Sequence, residues 1–283
     1  MIIYAILCTG EDFFNLYFLP LYKSLKSNTT YDKIICYYNN IGDINIISQK
    51  YNDINFIPIN QNTEKWESNV KYQLKTSYEI CNEINDDDIV LYLDADMIIN
   101  NDLSKLVAKE IKNYDGLFTA YIDHFTPFGI KDKISFNGIH TINRFNGGCF
   151  FFKKGMTNFF KESYDLFLDL ENSNKLKYLQ TIFGGPQQSV LAYMFFDNFK
   201  KEVSYRNSIN VNGAKINFVK CSIFNQTESY YDDKTAIYHL KGGWRHIIRK
   251  EGPDWNKVSN TERSKNYSMP IYNIWKKYYE NTK

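Results

Sequence analysis

Four short apolar runs divide the first third of the chain, and the segments between them repeat their hydrophobic positions at helical spacing. Residues 2–7, 33–38, 55–59 and 89–93 are rich in β-branched and aromatic side chains and give way to polar or glycine-bearing stretches, which predicts four strands. Residues 13–26, 44–50 and 67–82 predict the intervening helices; in the third, Val70, Leu74, Ser77, Tyr78 and Cys81 fall on one face. Strand and helix alternating in this way predict an α/β fold whose mixed, mostly parallel sheet is flanked by helices. The run Ile89-Val90-Leu91-Tyr92-Leu93 is apolar at every position, as a strand buried on both faces must be, so it is expected at the sheet centre. In such sheets the ligand crevice lies beyond the carboxyl ends of the strands, so the residues just after Leu93 are where chemistry is expected.

Beyond residue 96 the rhythm loosens. A helix over 103–111, a strand over 116–121, a loop bearing Gly and Asn through Asn146, a strand over 149–153 and a helix over 157–170 are expected. A last helix over 269–279 sets Ile271, Ile274, Trp275 and Tyr278 on one face. It is expected to dock on the body, because it carries too few basic residues for a membrane-surface helix. With no internal repeat and no proline-rich joint, the organisation expected is one domain over residues 1–250 and a tail over 251–283 that packs on it.

Composition narrows the classes. A chain of 283 residues is within reach of a single core, which stops growing at about 250–300 residues. Thirty-four basic against 32 acidic side chains, with no Lys/Arg block, leave no electrostatic footprint for nucleic acid. The aromatic share of 17% is high, and Asn, Ile and Lys crowd out Arg, which we read as the codon bias of an AT-rich genome. The five cysteines have no metal-ligand spacing and are expected as reduced thiols. Asn-x-Ser/Thr triplets at Asn28, Asn225 and Asn266 are read as chance matches in an Asn-rich chain. The apolar opening stops at Thr9-Gly10-Glu11-Asp12, too short for a secretory leader, and no run approaches the roughly 18 apolar residues of a membrane span, so a cytoplasmic protein is expected.

The sharpest chemical signal is Leu91-Tyr92-Leu93-Asp94-Ala95-Asp96-Met97, two acids one residue apart as the buried strand ends. Alternate side chains of a strand point the same way, so Asp94 and Asp96 are expected to face one site. Two carboxylates this close repel unless a cation compensates, and oxygen donors suit Mg²⁺ or Mn²⁺, which also bridge the oxygens of a diphosphate. The competing reading is a plain strand-to-loop turn. Asp86-Asp87-Asp88 just upstream reads as a solvated loop. The second signal is His239-Leu240-Lys241-Gly242-Gly243-Trp244-Arg245, where His239 ends a short apolar strand, two glycines permit close backbone approach, and Lys241 and Arg245 supply positive charge. A lone His is more often simply packed than a ligand; joined to two acids, it would favour Mn²⁺ over Mg²⁺.

Asp94-x-Asp96 at the end of a strand, Asn146-Gly147-Gly148, and His239-x-x-Gly242-x-x-Arg245 together resemble the GT-A fold glycosyltransferases, in particular the glycogenin and galactosyltransferase group called family 8. The resemblance spans residues 1–250. It implies a Rossmann-like GT-A domain that transfers a hexose from a UDP-sugar donor to a hydroxyl of a glycan, protein or small molecule, with retention. It implies that Asp94, Asp96 and His239 hold Mn²⁺ or Mg²⁺ and that Arg245, where the family carries Lys, meets the diphosphate with Lys241, Gly242 and Ala95 beside it. By the same resemblance Ile6, Cys8 and Thr9 correspond to the stretch that holds the nucleoside. Asn146, Gly147 and Gly148 correspond to the donor-sugar pocket, and Lys71 or Lys75 to a basic residue that reaches the nucleotide. Asp123, 27 residues beyond Asp96, stands where an acid meets the sugar hydroxyls.

One departure bears on mechanism. The family's Gly-Asp-Gln is here Gly185-Pro186-Gln187-Gln188, so an amide replaces the carboxylate near the anomeric carbon, and an amide is neither base nor anionic nucleophile. A retaining enzyme would then have Gln188 flank the reacting face while the departing phosphate takes the acceptor proton. An inverting one needs a base, for which Asp123 or His124 is the candidate. A module that binds a sugar nucleotide or glycan with weakened catalysis is the non-enzyme alternative. A phosphatase of the haloacid dehalogenase type also uses Asp-x-Asp, but on its first strand rather than its fourth.

Overall fold

The protein is described by a computed structural model, which describes residues 1–59, 66–120, 124–125, 145–177, 185–196, 203–204, 208–227, 231–251 and 269–281. Twelve strands are found among them: β1 (Ile2–Thr9), β2 (Lys33–Asn39), β3 (Ile54–Pro58), β4 (Ile89–Asp94), β5 (Met97–Ile99), β6 (Gly116–Ala120), β7 (His124–Phe125), β8 (Phe145–Phe152), β9 (Val203–Ser204), β10 (Ile209–Val211), β11 (Ala214–Lys220) and β12 (Ile237–His239). Eight form one sheet in the order β10-β11-β6-β8-β4-β1-β2-β3. The pairs β1–β2, β2–β3, β1–β4 and β6–β11 are parallel, while β8 runs antiparallel between β4 and β6. The strand expected at the centre, β4, lies between β1 and β8.

Period two decides what each face of this sheet buries. Ile3, Ala5, Val90, Tyr92, Phe150 and Phe152 point to one core, and Tyr4, Ile6, Cys8, Leu91, Leu93 and Phe151 to the other. Both faces being covered is why these strands read as unbroken apolar runs. The first core is aromatic: Tyr92 stacks on Phe150 at 5.0 Å, and Phe118, Phe159, Phe160 and Phe195 close around the same ring system. Helices Trp66–Glu83, Thr157–Asn172 and Pro186–Phe196 cover that face. The high aromatic content is therefore spent largely on packing.

Helix starts follow their capping residues. Asp43 Oδ1 accepts from Asn45 N at 2.9 Å ahead of helix Ile44–Lys50, and Asp102 Oδ1 accepts from Lys105 N at 3.2 Å ahead of helix Leu103–Glu110. The same Asp102 oxygen accepts from Ser104 Oγ at 2.9 Å and Thr29 Oγ1 at 3.2 Å. Asp102→Ala is expected to destabilise the fold by about 1–2 kcal/mol, measured by urea unfolding. Partial burial works to raise this carboxyl, but the Ser104 and Lys105 hydrogen bonds outweigh it and hold the group below the ordinary range. A depressed carboxyl stabilises above its unfolded pKa and loses that contribution as pH falls through its folded value, so the gap between wild type and variant should narrow on acidification.

The helix expected over 13–26 runs from Glu11 to Asn28, but not uniformly: Glu11–Phe13 and Leu19–Asn28 are α-helical and Phe14–Phe18 forms a π turn. Pro20 has no N–H to return to Leu16, and the freed Leu16 carbonyl accepts instead from Trp275 Nε1 at 2.9 Å. That bond anchors helix Met269–Glu280, whose Ile271, Tyr272, Trp275 and Tyr278 are buried against Tyr17, Ile98, Tyr238 and Trp244. Ile274, expected on the packed face, is only partly buried, and Tyr272 takes its place in the core. Asn28, one of the glycosylation triplets, spends its Nδ2 on Ile99 O at 2.7 Å and Tyr278 Oη at 2.8 Å. No helix among the described residues is long and apolar enough to cross a membrane.

Candidate metal and donor site

The chain passes from β1 to β2 and β3 on one side and returns to place β4 on the other, so β1 and β4 are neighbours at the point where strand order reverses. A cavity of about 710 Å³ opens beyond their carboxyl ends. Such crevices are where open α/β sheets take ligands. Leu7, Thr9, Gln73, Asp94, Asp96 and His239 line it, together with the basic side chains of Lys241, Arg245 and Arg249.

Asp94 is the last residue of β4, and Leu7 lies beside it in register. Asp96 is not on the strand. Residues 95 and 96 form a turn into β5, and the expected strand alternation is replaced by that turn, which brings the two acids to one place by reversing the chain. β5 pairs antiparallel with β12, opposing Met97 to His239, and Leu240 N donates to Asp96 O at 2.7 Å. This two-stranded pairing delivers His239 to the acids across more than 140 residues of sequence. His239 Nε2 lies 3.3 Å from Asp96 Oδ1 and 3.6 Å from Asp94 Oδ2.

The electrostatics are asymmetric. Burial, with the Asp96 charge adding to it, raises the Asp94 carboxyl above its ordinary value against the opposing pull of His239, Arg245 and Gln73. Burial also works to raise Asp96, but His239 and Arg245 overcome it and hold that carboxyl well below the usual range. Arg245 Nε pairs with Asp96 Oδ2 at 2.5 Å, and the partnership raises the guanidinium against its own desolvation. The two carboxylates titrate as a pair, each feeling the charge of the other and of His239 and Arg245.

The donor set fits a divalent cation. One oxygen or nitrogen from each of Asp94, Asp96 and His239 lies within 4.8 Å of the others. Asp96 Oδ1 and His239 Nε2 are buried and have no hydrogen-bond partner, an arrangement that is costly unless something binds there. The other atom of each side chain is already engaged, leaving Asp94 Oδ2 facing the same point: Asp94 Oδ1 accepts from Gln73 Nε2 at 2.6 Å, Asp96 Oδ2 from Arg245, and His239 Nδ1 faces Asn225 Oδ1 at 2.9 Å. Two carboxylates and one imidazole suit Mn²⁺, with Mg²⁺ the harder alternative.

The two glycines of Asn146-Gly147-Gly148 have steric reasons. β8 begins at Phe145, earlier than the expected 149, and its register with β6 shifts between Phe118 and Thr119, a bulge at these residues. A Cβ on Gly148 would strike Asp94 Oδ2 and come 3.0 Å from His239 Cε1, and one on Gly147 would come 2.9 Å from Gln187 Oε1. Asn146 Oδ1 accepts from Gly148 N at 2.8 Å and holds the turn. Gln187 Nε2 donates to Gly147 O at 2.6 Å, so this amide bolts helix Pro186–Phe196 to the bulge. Gln188 lines the cavity beside it. Gly242 adopts φ +61°, the left-handed conformation that favours glycine, between Lys241 and the helix Gly243–Glu251.

Several expected residues lie elsewhere. Ile6 and Cys8 are buried in the core on the opposite face of β1; period two leaves Leu7 and Thr9 on the cavity. Lys71 pairs with Glu171 at 3.1 Å and Lys75 with Glu79 at 3.2 Å, and neither lines the cavity. The residue of that helix which does is Gln73, which no charge signal marks. Asp123 lies outside the described residues, and His124 begins β7. Arg249, one helical turn beyond Arg245, also lines the cavity and is visible in the sequence only as the second arginine of an i, i+4 pair.

No family model matches the chain. It is 27% identical over 199 residues to lipopolysaccharide 1,2-glucosyltransferase of Escherichia coli, an alignment that takes in 66% of this chain and 50% of that protein. The chain thus matches about half the length of this relative. Among solved structures, the galactosyltransferase LgtC in complex with donor and acceptor sugar analogues superposes with a TM-score of 0.56 at 16% identity, covering 98% of this chain and 95% of that one. The glycosyltransferase GlyE of Streptococcus pneumoniae gives 0.54 at 15% identity over 97% of this chain and 59% of its own. The fold is the GT-A fold of these glycosyltransferases.

Proposed function

We propose that this chain is a glycosyltransferase that moves a hexose from a UDP-sugar to a hydroxyl acceptor, with retention and with Mn²⁺ or Mg²⁺ held by Asp94, Asp96 and His239. The observation that carries the reading is the pair of buried, unpartnered atoms, Asp96 Oδ1 and His239 Nε2, 3.3 Å apart in the lining of the β1–β4 crevice. When bound, the cation supplies Lewis-acid stabilisation of the leaving diphosphate, worth several kcal/mol. Lys241, Arg245 and Arg249 add positive charge along the wall where that diphosphate would lie. Thr9 at the end of β1 places the nucleoside, and the Asn146–Gly148 bulge, with Gln187 behind it, shapes the sugar end.

In transfer, the bond from the anomeric carbon to the diphosphate oxygen breaks and the bond to the acceptor oxygen forms. The acceptor proton passes to the departing phosphate oxygen. Among the described residues lining the cavity the carboxylates are Asp94 and Asp96, both assigned to the cation, and Gln188 can offer only an amide to the reacting face. A front-side, retaining course, in which the departing phosphate takes the acceptor proton, calls for no separate base.

A thermal-shift titration with UDP, GDP and CDP, each with and without Mn²⁺, tests the reading. At a hundredfold excess over Kd the stabilisation is about 2.7 kcal/mol. For a chain of this size that is a rise of roughly 5–10 °C. The rise is expected with UDP plus Mn²⁺ and not with either alone. A response to GDP or CDP in place of UDP would overturn the uridine assignment, and no response to any pair would overturn the site.

A further inference from the structure

Asn225 heads one of the glycosylation triplets, yet its side chain is fully buried and used at both ends. The hydrogen bonds around it have directions that derive from one fixed point. The backbone carbonyl of Asn146 can only accept, so the Thr119 hydroxyl donates to it, at 3.4 Å. With its proton committed, Thr119 Oγ1 accepts from Asn225 Nδ2 at 3.0 Å, which orients the amide. Asn225 Oδ1 is then the atom facing His239 Nδ1 at 2.9 Å, and an amide oxygen accepts, so Nδ1 carries a proton. In the neutral imidazole Nε2 is left with its lone pair, and Nε2 is the atom aimed at Asp96 Oδ1 and Asp94 Oδ2.

We infer that Asn225 is a positioning residue of the metal site, locking the tautomer and ring orientation of His239 and tying it through Thr119 to the Asn146–Gly148 bulge. The inference rests on the proposed role of Asp94, Asp96 and His239. A metal-binding histidine needs its other nitrogen anchored, and loss of such an anchor typically weakens metal affinity 10–100-fold. The chain of bonds also gives the bulge a direct link to the imidazole. Residues at the sugar end and the cation end of the cavity therefore share one rigid support.

The experiment is a Mn²⁺ titration of the full chain followed by electron paramagnetic resonance in the presence of UDP, on wild type, Asn225→Leu and Asn225→Asp. It is paired with ¹⁵N NMR of the His-labelled, metal-free wild type under conditions where the imidazole is neutral. Wild type is expected to show His239 protonated on Nδ1. Asn225→Leu is expected to bind Mn²⁺ about 10–100-fold more weakly. Asn225→Asp, which keeps an acceptor on Nδ1–H while giving up the Thr119 bond, is expected to recover the wild-type affinity. Equal affinity in wild type and Asn225→Leu, or equal loss in both variants, would leave Asn225 a packing residue and overturn the inference alone. A wild type that takes up no Mn²⁺ overturns the reading of the site and this inference with it. Should Asn225→Leu fail to fold, the Asp variant and the tautomer decide, and a His239 protonated on Nε2 refutes the assignment.

Discussion

Asp96→Asn is expected to transfer sugar at no more than about a thousandth of the wild-type rate, a loss of about 4 kcal/mol in transition-state stabilisation. Asp96 is fully buried, with Oδ2 on Arg245 and Oδ1 unpartnered beside His239 Nε2. The substituted amide must turn its oxygen to Arg245, since the guanidinium only donates. Its NH₂ then faces His239 Nε2 and satisfies the lone pair that would otherwise take a cation. The variant should therefore still fold, at a lower melting temperature because Arg245 loses its charged partner, while losing both metal uptake and turnover, measured as release of the nucleoside diphosphate with saturating donor. A rate within tenfold of wild type would show that Asp96 does not hold the metal.

The second large effect is expected at Gly148→Ala, where a single methyl group enters the site. Its φ lies outside the left-handed region, so the backbone accepts alanine and the consequence is steric. The new Cβ would lie 2.8 Å from Asp94 Cγ and 3.0 Å from His239 Cε1. Asp94 has to swing aside, giving up the 2.6 Å bond from Gln73 and moving its free oxygen away from His239. Displacement of a reacting or binding group by about 1 Å costs on the order of a hundredfold in rate. Gly147→Ala, whose Cβ would meet only the end of the Gln187 side chain at 2.9 Å, is the internal control and should lose much less. Parallel steady-state kinetics on the two variants check this; equal losses would mean that the bulge backbone, and not the space beside Asp94, is what matters.

Both effects depend on residues whose positions are readable to different degrees. The strands β1, β2 and β4 announce themselves because burial on both faces leaves no polar position in their interiors, and the helices between them because each shows one apolar stripe. Asp94-x-Asp96 and His239 are legible for the same local reason: each comes directly after an apolar run that has to end at the sheet's edge. β8 reads short because a strand interrupted by Asn146-Gly147-Gly148 looks like a turn until β6 is seen to pair on both sides of it, while the ladder with β4 stops at Cys149. The π turn is invisible in the sequence because it answers to Trp275, some 250 residues away, as much as to Pro20.

What the sequence determined alone is therefore the layered architecture and the kinds of group at its carboxyl edge, since hydrophobic period and chemical type are local properties of a chain. Tertiary structure decided which groups meet. Lys71 and Lys75 carry charge but find acidic partners on the helix surface, whereas neutral Gln73, on the inward face between them, reaches Asp94. Asn225, one of many asparagines in the chain, acquires its place only when β12 brings His239 beside it. Packing selects among chemically similar residues by distance and direction, and those quantities exist only once segments far apart in sequence have come into contact.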